Sequence, residues 1–335
     1  MTKNPKFSII IPVQRIYDYL REHLKSYEKQ TLQDFEIIIL SDIEETGRFP
    51  KTRIINTEKV PPAKKRNIGA ENARGEILAF IDDDAYPMEN WLEIASKELE
   101  NKDIIAIGGP SLVPKEATFF QRVSSKVYEL SSGKTGIRYG KGKRTEIDDW
   151  PTCNLFVRKK EFLEVGGSDE KYWGGEDTQL CYSLLKTGKK IAYNPDMGIY
   201  HHPRTKLKSH LRQSYFWGMW RGFFMKIHPQ SRQLVFFIPG IFVLWVLVGA
   251  LISMFSNYFR VCYIISMLVY FTYLLNLGFK SKNIKLFLPV IIVSFLTQFA
   301  YGVGFCKGIF ANRGTGPTKS GMHSFEKLKS KIDKK

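Results

Sequence analysis

Between Asp196 and Glu326 the chain has no acidic residue, and three long, almost purely apolar runs lie inside that stretch. The first is "QLVFFIPGIFVLWVLVGALISMF" (233–255), the second "VCYIISMLVYFTYLLNLGF" (261–279) and the third "LFLPVIIVSFLTQFAYGVGF" (286–305). Each is long enough to cross a bilayer core of about 30 Å as a helix. One such run could serve as a buried core helix, but three in succession predict a membrane-embedded region. The third offers Gly302 and Gly304 for close helix packing.

The charge distribution agrees. The net charge is +17. The acid-free stretch carries 14 Lys and Arg, which leaves 36 basic against 33 acidic residues elsewhere. The surplus therefore travels with the most apolar part of the chain, as expected of an anionic membrane surface and not of nucleic acid. Ahead of the runs, "TKLKSHLRQSYFWGMWRGFFMKIH" (205–228) sets Leu207, Leu211, Tyr215, Met219, Phe223 and Ile227 four apart among Lys, Arg, Trp and Phe. This predicts a basic amphipathic helix at a membrane interface, with an ordinary core-facing helix as the alternative. Placing the N-terminal part inside puts "SNYFR" (256–260) outside and "KSKNIK" (280–285) inside, as positive-inside bias prefers. Three crossings would then leave the basic tail 313–335 outside, against that bias. Either one run does not fully span or the tail is an exception.

The first 200 residues read differently. "FSIIIPV" (7–13), "FEIIIL" (35–40), "TRIINT" (52–57), "EILAFI" (76–81) and "IIAIGG" (104–109) are strand-like. They alternate with helical patterns at 15–30, 61–75 and 89–99, which predicts βαβ units and a mostly parallel sheet flanked by helices. Residues 110–150, rich in Lys, Gly and Ser, read as a loop with one helix, and order resumes at 153–167, 174–190 and 191–195. The opening "MTKNPKFSIIIPV" enters a strand pattern directly, without a cleavable apolar core. Four scattered cysteines form no CxxC pair, which argues against zinc and against a disulfide framework and suits a reducing cytosol.

Two acidic clusters carry chemistry. "FIDDDAYP" (80–87) puts Asp82, Asp83 and Asp84 at the carboxyl end of a strand, where open α/β sheets bind ligands. Side chains two apart on an extended strand point the same way. Asp82 and Asp84 could therefore share one point, with Asp83 turned elsewhere. Hard oxygen ligands suit Mg²⁺ or Mn²⁺; a capping loop for the following helix is the alternative. "YWGGEDTQLCYSLL" places Glu176 and Asp177 after two glycines at a helix start. They serve either as favourable charge against the helix dipole or as a carboxylate able to accept a proton from a hydroxyl nucleophile.

Over residues 7–202 the chain, from "FSIIIPV" through "AKKRNIGAENARGEILAFIDDDAYP" and "YWGGEDTQLCYSLLKTGKKIAYNP" to "YHH", resembles the family 2 glycosyltransferases of GT-A fold, a Rossmann-like architecture. The resemblance implies an enzyme that transfers a sugar, with inversion, from a UDP- or GDP-sugar donor, using Mn²⁺ or Mg²⁺. It implies Asp82 and Asp84 as metal ligands, with His201 near the metal or diphosphate. His202 is adjacent, and an ordinary surface histidine is the alternative. It implies nucleotide contacts from Pro12, Asp42, Arg66 and Asp83, Asp177 as catalytic base, and Glu176 and Trp173 on the acceptor side. Two departures stand out: "SDIEE" follows the second strand where the family often shows D-D-x-S, and the processive Q-x-x-R-W motif is replaced by "RQSYFWGMWRG".

The expected layout is a catalytic domain at 1–204, an interface helix at 205–232, about three transmembrane helices at 233–310 and a basic tail at 311–335. The expected function is transfer to a lipid-linked, polyprenyl-type glycan acceptor at the cytoplasmic face of the cell membrane, in cell-surface glycan or polysaccharide biosynthesis. Direct transfer to a polyprenyl phosphate and a non-catalytic sugar-nucleotide-binding scaffold are the alternatives.

Overall fold

A computed structural model of the chain describes residues 4–131, 134–140, 142–171, 174–228 and 232–311. The chain divides into two compact units. The first comprises the described residues through Ala117 together with Ser131–His202, and the second Thr118–Leu130 together with the described residues from Pro203. The segment 118–130 thus leaves the unit that its sequence position suggests.

In the first unit β1 (Phe7–Pro12), α1 (Asp18–Tyr27), β2 (Phe35–Ser41), β3 (Thr52–Asn56), α2 (Pro62–Asn72) and β4 (Ile77–Ile81) follow the predicted alternation. β1, β2 and β4 are buried along their whole length. Both faces are covered, so successive residues enter opposite layers: Ile9 and Ile11 join one apolar cluster and Ile10 the other. Pro62 opens α2, where its missing N–H costs nothing.

β5 (Ala85–Pro87), α3 (Trp91–Glu98), β6 (Ile104–Gly108) and β7 (Ser111–Leu112) come next. α4 (Phe119–Glu129) belongs to the second unit. The first unit resumes with α5 (Lys134–Tyr139), β8 (Thr145–Ile147), β9 (Asn154–Arg158), α6 (Lys159–Glu164), α7 (Glu176–Leu185), β10 (Lys190–Tyr193) and β11 (Ile199–His201). Residues 110–150 therefore hold two helices and two short strands where one helix is expected.

The main sheet runs β3-β2-β1-β4-β9-β6-β10-β8, and a small sheet runs β5-β11-β7. The main sheet is more mixed than expected. β9 inserts antiparallel between β4 and β6, and β8 is antiparallel to β10. The reversal matters, because the amino end of β9 then lies at the carboxyl end of β4, with Asn154 beside Ile81.

The second unit contains α4, α8 (Leu207–Ile227), α9 (Ile238–Leu244), α10 (Ala250–Ser253), α11 (Asn257–Lys280) and α12 (Ile284–Phe310). A 3₁₀ turn (Leu234–Phe237) precedes α9, and a π-turn (Trp245–Gly249) joins it to α10. Among the described residues, three stretches are long and apolar enough to cross a membrane: Leu234–Ser253, Asn257–Lys280 and Ile284–Phe310. The expected outer loop 256–260 is mostly helical, because the Ser256 hydroxyl caps α11 by accepting from the Phe259 N–H. In α8, Met219, Trp220, Phe223 and Phe224 are buried, whereas Tyr215, Phe216 and Trp217 stay partly exposed. α12 is its main partner, and four glycines allow the approach. A Cβ at Gly218 or Gly222 would sit 2.0 or 2.3 Å from the carbonyl oxygen of Tyr301 or Phe305, and one at Gly304 or Gly308 2.0 Å from that of Tyr215 or Met219. The basic tail lies outside the described residues, apart from Ala311.

Candidate active site

β4 ends at Ile81 and delivers Asp82 to the carboxyl edge of the sheet. Two residues on, β5 pairs antiparallel with β11, with Ala85 opposite His201. That register brings Asp84 to the histidine: its Oδ1 lies 3.2 Å from His201 Nε2. Ligand atoms of Asp82, Asp84 and His201 lie within 4.8 Å of one another, and all three side chains are partly exposed. Asp83, between the two aspartates, is outside this triad. Two carboxylates and an imidazole on one point fit a divalent cation such as Mn²⁺ or Mg²⁺. His202 faces away from the triad. Its backbone N–H donates to the Asp84 carbonyl, and its Nε2 lies 3.6 Å from Glu116 Oε1. Burial pushes its imidazole down to about 4.

The second acidic cluster starts from a backbone device. Gly175 adopts φ +79°, a left-handed conformation that suits glycine, and immediately precedes α7. Glu176 and Asp177 occupy the first turn of that helix, where negative charge is favoured. Burial is the main cause of a raised pKa in both. Glu176 is pushed up to about 7, with the adjacent Asp177 adding to the effect and Arg66 opposing it. Asp177 is raised as well, against the opposing pull of Arg66 and a hydrogen bond from Thr152. That bond, from Thr152 Oγ1 to Asp177 Oδ1, is 2.7 Å long. Thr152 is there because β9 runs backwards, which places its approach beside the exit of β4.

Arg66 joins the clusters. Its guanidinium is nearly buried; Nη1 donates to Glu176 Oε1 at 3.1 Å and Nη2 to Asp82 Oδ1 at 3.3 Å. Two acidic groups almost a hundred residues apart in sequence thus share one cation. The preceding residue, Lys65, turns toward the first two strands, where its ammonium pairs with Asp42 and donates to the Val13 carbonyl. Asp42 follows β2 directly and Pro12 ends β1, so both stand at the same sheet edge. Lys65 and Thr152 carry no motif and were invisible in the sequence; only the "AKKRN" run before Arg66 hinted at the lysine. Trp173 lies outside the described residues.

With this geometry in place, comparison with known proteins shows what the chain resembles. Residues 8–162 match the model of glycosyl transferase family 2. The pre-mycofactocin glycosyltransferase of Mycobacterium tuberculosis is 23% identical over 193 residues, covering 56% of this chain and 40% of that protein. The chain thus spans well under two thirds of that relative's length. The glucosyl-dolichyl phosphate glucuronosyltransferase of Haloferax volcanii is 25% identical over 244 residues, covering 65% of this chain and 76% of that protein. Among solved structures, GalNAc-T7 with UDP, GalNAc and Mn²⁺ aligns with a TM-score of 0.47 at 15% identity, covering 69% of this chain and 52% of that one. The mannosyltransferase PcManGT from Pyrobaculum calidifontis, in complex with GDP-Man and Mn²⁺, aligns with a TM-score of 0.47 at 18% identity, covering 65% and 63%.

Proposed function

We propose that this chain is a membrane-anchored inverting glycosyltransferase that moves a sugar from a UDP- or GDP-sugar to a lipid-linked, polyprenyl-type glycan in cell-surface glycan assembly. The observation that carries the reading is the Arg66 bridge between Asp82 and Glu176, which gathers both acidic clusters into one site. In this reading Asp177 takes the proton of an acceptor hydroxyl as the oxygen attacks the anomeric carbon from the face opposite the leaving diphosphate, so one displacement inverts the centre. Thr152 orients the Asp177 carboxylate by its hydrogen bond. Asp42 and Asp83 contact the nucleoside, with the backbone at Pro12 lining the same pocket. Arg66 supplies positive charge on the nucleotide side. Asp82, Asp84 and His201 would hold a divalent cation, whose chemistry is to neutralise charge on the diphosphate. Glu176 and Trp173 are assigned to the acceptor side.

Three apolar stretches support anchorage in a membrane; in this reading it is the cell membrane and the catalytic unit is cytoplasmic. A long-chain lipid carrier stays in its bilayer, so an enzyme acting on its head group gains from residence at the same surface. The Haloferax relative is named for a lipid-linked sugar acceptor. The direct test incubates the full chain with a panel of nucleotide sugars and a native lipid extract, with and without Mn²⁺. Label is expected in the lipid phase from one donor, and equal transfer to water-soluble acceptors would refute the lipid-linked reading.

A pH profile checks the base. Burial raises the pKa of Asp177, so kcat/KM is expected to rise with pH over a range above that of an ordinary aspartate. Arg66 opposes that rise, and Glu176→Gln removes the carboxylate that competes for Arg66. The rising limb is therefore expected to move to lower pH; a shift upward would contradict the assignment.

A further inference from the structure

The third apolar stretch is unlike the other two. In its most apolar window 39% of residues are buried, against 17% for each of the others. Its exposed large side chains, Ile284, Leu288, Ile292, Val303 and Phe310, fall on one stripe of α12. The opposite face is covered end to end. Val123 and Val127 of α4 pack with Leu286, Val290, Ile291 and Val293, together with Leu274 and Leu277 near the carboxyl end of α11, and Gly302 packs on Pro239 near the amino end of α9. His210 of α8 then joins the helices: the Thr297 hydroxyl donates to the Val293 carbonyl at 2.6 Å and so accepts from His210 Nε2 at 2.7 Å. This leaves His210 Nδ1 to accept from Ser124 of α4 at 2.8 Å. Farther on, the glycine contacts described above hold α8 and α12 parallel, backbone against backbone.

Two of the covering helices, α4 and α8, cannot sit in hydrocarbon. α4 has 11 residues, and both ends of its segment rejoin the first unit, at Ala117 and Ser131. Crossing a bilayer core takes about 20 helical residues. α4 carries Arg122, Lys126 and Glu129, and α8 carries Lys208, Arg212, Arg221 and Lys226. Each Arg or Lys at the centre of a bilayer costs about 2.5–3.5 kcal/mol even on the mildest scale. A helix clad by such partners from Leu286 to Gly308 is not a spanning helix.

We propose that the chain crosses the bilayer twice, through Leu234–Ser253 and Asn257–Lys280, and that α12 lies along the anionic surface of the bilayer on the side of the catalytic unit. Its exposed stripe meets the lipid while α4 and α8 cover its water side. This rests on the membrane anchorage proposed above and removes the conflict in charge bias. Lys280, Lys282, Lys285 and the basic C-terminal residues then share one side, and only Arg260 marks the other.

Reporter pairs in the full chain test it. Green fluorescent protein, fluorescent inside the cell, and alkaline phosphatase, active outside, are placed in turn before Met1, within the turn at Ser256 and after Lys335. The two terminal positions are expected to give fluorescence without phosphatase activity, and Ser256 the reverse. A C-terminal reporter opposite to the N-terminal one means three crossings and overturns the proposal. All three reporters on one side overturn the proposal together with the anchorage on which it rests, whereas the sugar-transfer assay judges the catalytic reading separately.

Discussion

Asp177→Asn is expected to lower sugar transfer by about 10²–10⁴-fold, the usual worth of a positioned general base, while leaving nucleotide affinity unchanged. Asparagine keeps the volume of aspartate and can still accept the Thr152 hydrogen bond, but it cannot take a proton. Protein stability supplies a second readout. Burial makes the charged form of Asp177 costly, and Asp82 and Asp149 add repulsion. Neutralising the site should therefore raise Tm, so that lost activity cannot be ascribed to unfolding. Single-turnover transfer, nucleotide titration and thermal melts on one preparation measure all three. Weakened nucleotide binding would count against the assignment. An undiminished rate would point instead to a phosphate acceptor, which needs little help from a base.

The strands were readable because β1, β2 and β4 are covered on both faces, so apolar residues run without interruption. Strand direction was not readable. β9 has the composition of any buried strand, and its antiparallel entry follows from the tertiary path of residues 110–153, which no local pattern encodes. α8 shows a different limit. Its spacing of Trp, Phe, Lys and Arg fits a lipid interface, and part of its aromatic set, Trp220, Phe223 and Phe224, is buried within the helical unit. The signal that could have revealed the packing is the pair of small-residue spacings, Gly218 with Gly222 and Gly304 with Gly308, since such spacings let backbones touch.

At the site, motif-bearing residues were legible and their partners were not. Three adjacent aspartates and a Glu-Asp pair after two glycines stand out because unshielded like charges are costly and require compensation. The compensating groups come from elsewhere in the chain. Thr152 belongs to a loop whose position depends on the reversed β9, and Lys65 is one lysine among many. Sequence also gave no means of assigning Arg66 to both clusters, since that requires α2, β4 and α7 to meet.

The Arg66 bridge can be dissected by a double-mutant cycle. Arg66→Met keeps much of the aliphatic stem but strands Asp82 and Glu176 without their shared cation, and removing one partner of a buried ion pair typically costs about 3–5 kcal/mol. The loss is expected to depend on pH in a defined direction. Glu176 titrates at about 7 in the folded chain against an ordinary value of 4.5, so folding favours its protonated form. Its contribution to stability is fully present below about 4.5 and disappears as pH rises through 7. Without Arg66 the carboxyl moves higher still. The variant should therefore be penalised more at pH 8 than at pH 5, where Glu176 is protonated with or without the arginine. Adding Glu176→Gln removes the stranded charge and should restore most of the lost stability at pH 8, so the two substitutions will not be additive. Transfer activity should stay low in the double variant, because a neutral glutamine cannot replace the positive charge on the nucleotide side. Chemical denaturation of the four proteins at both pH values decides the matter: additive losses that do not change with pH would mean that Arg66 and Glu176 act independently.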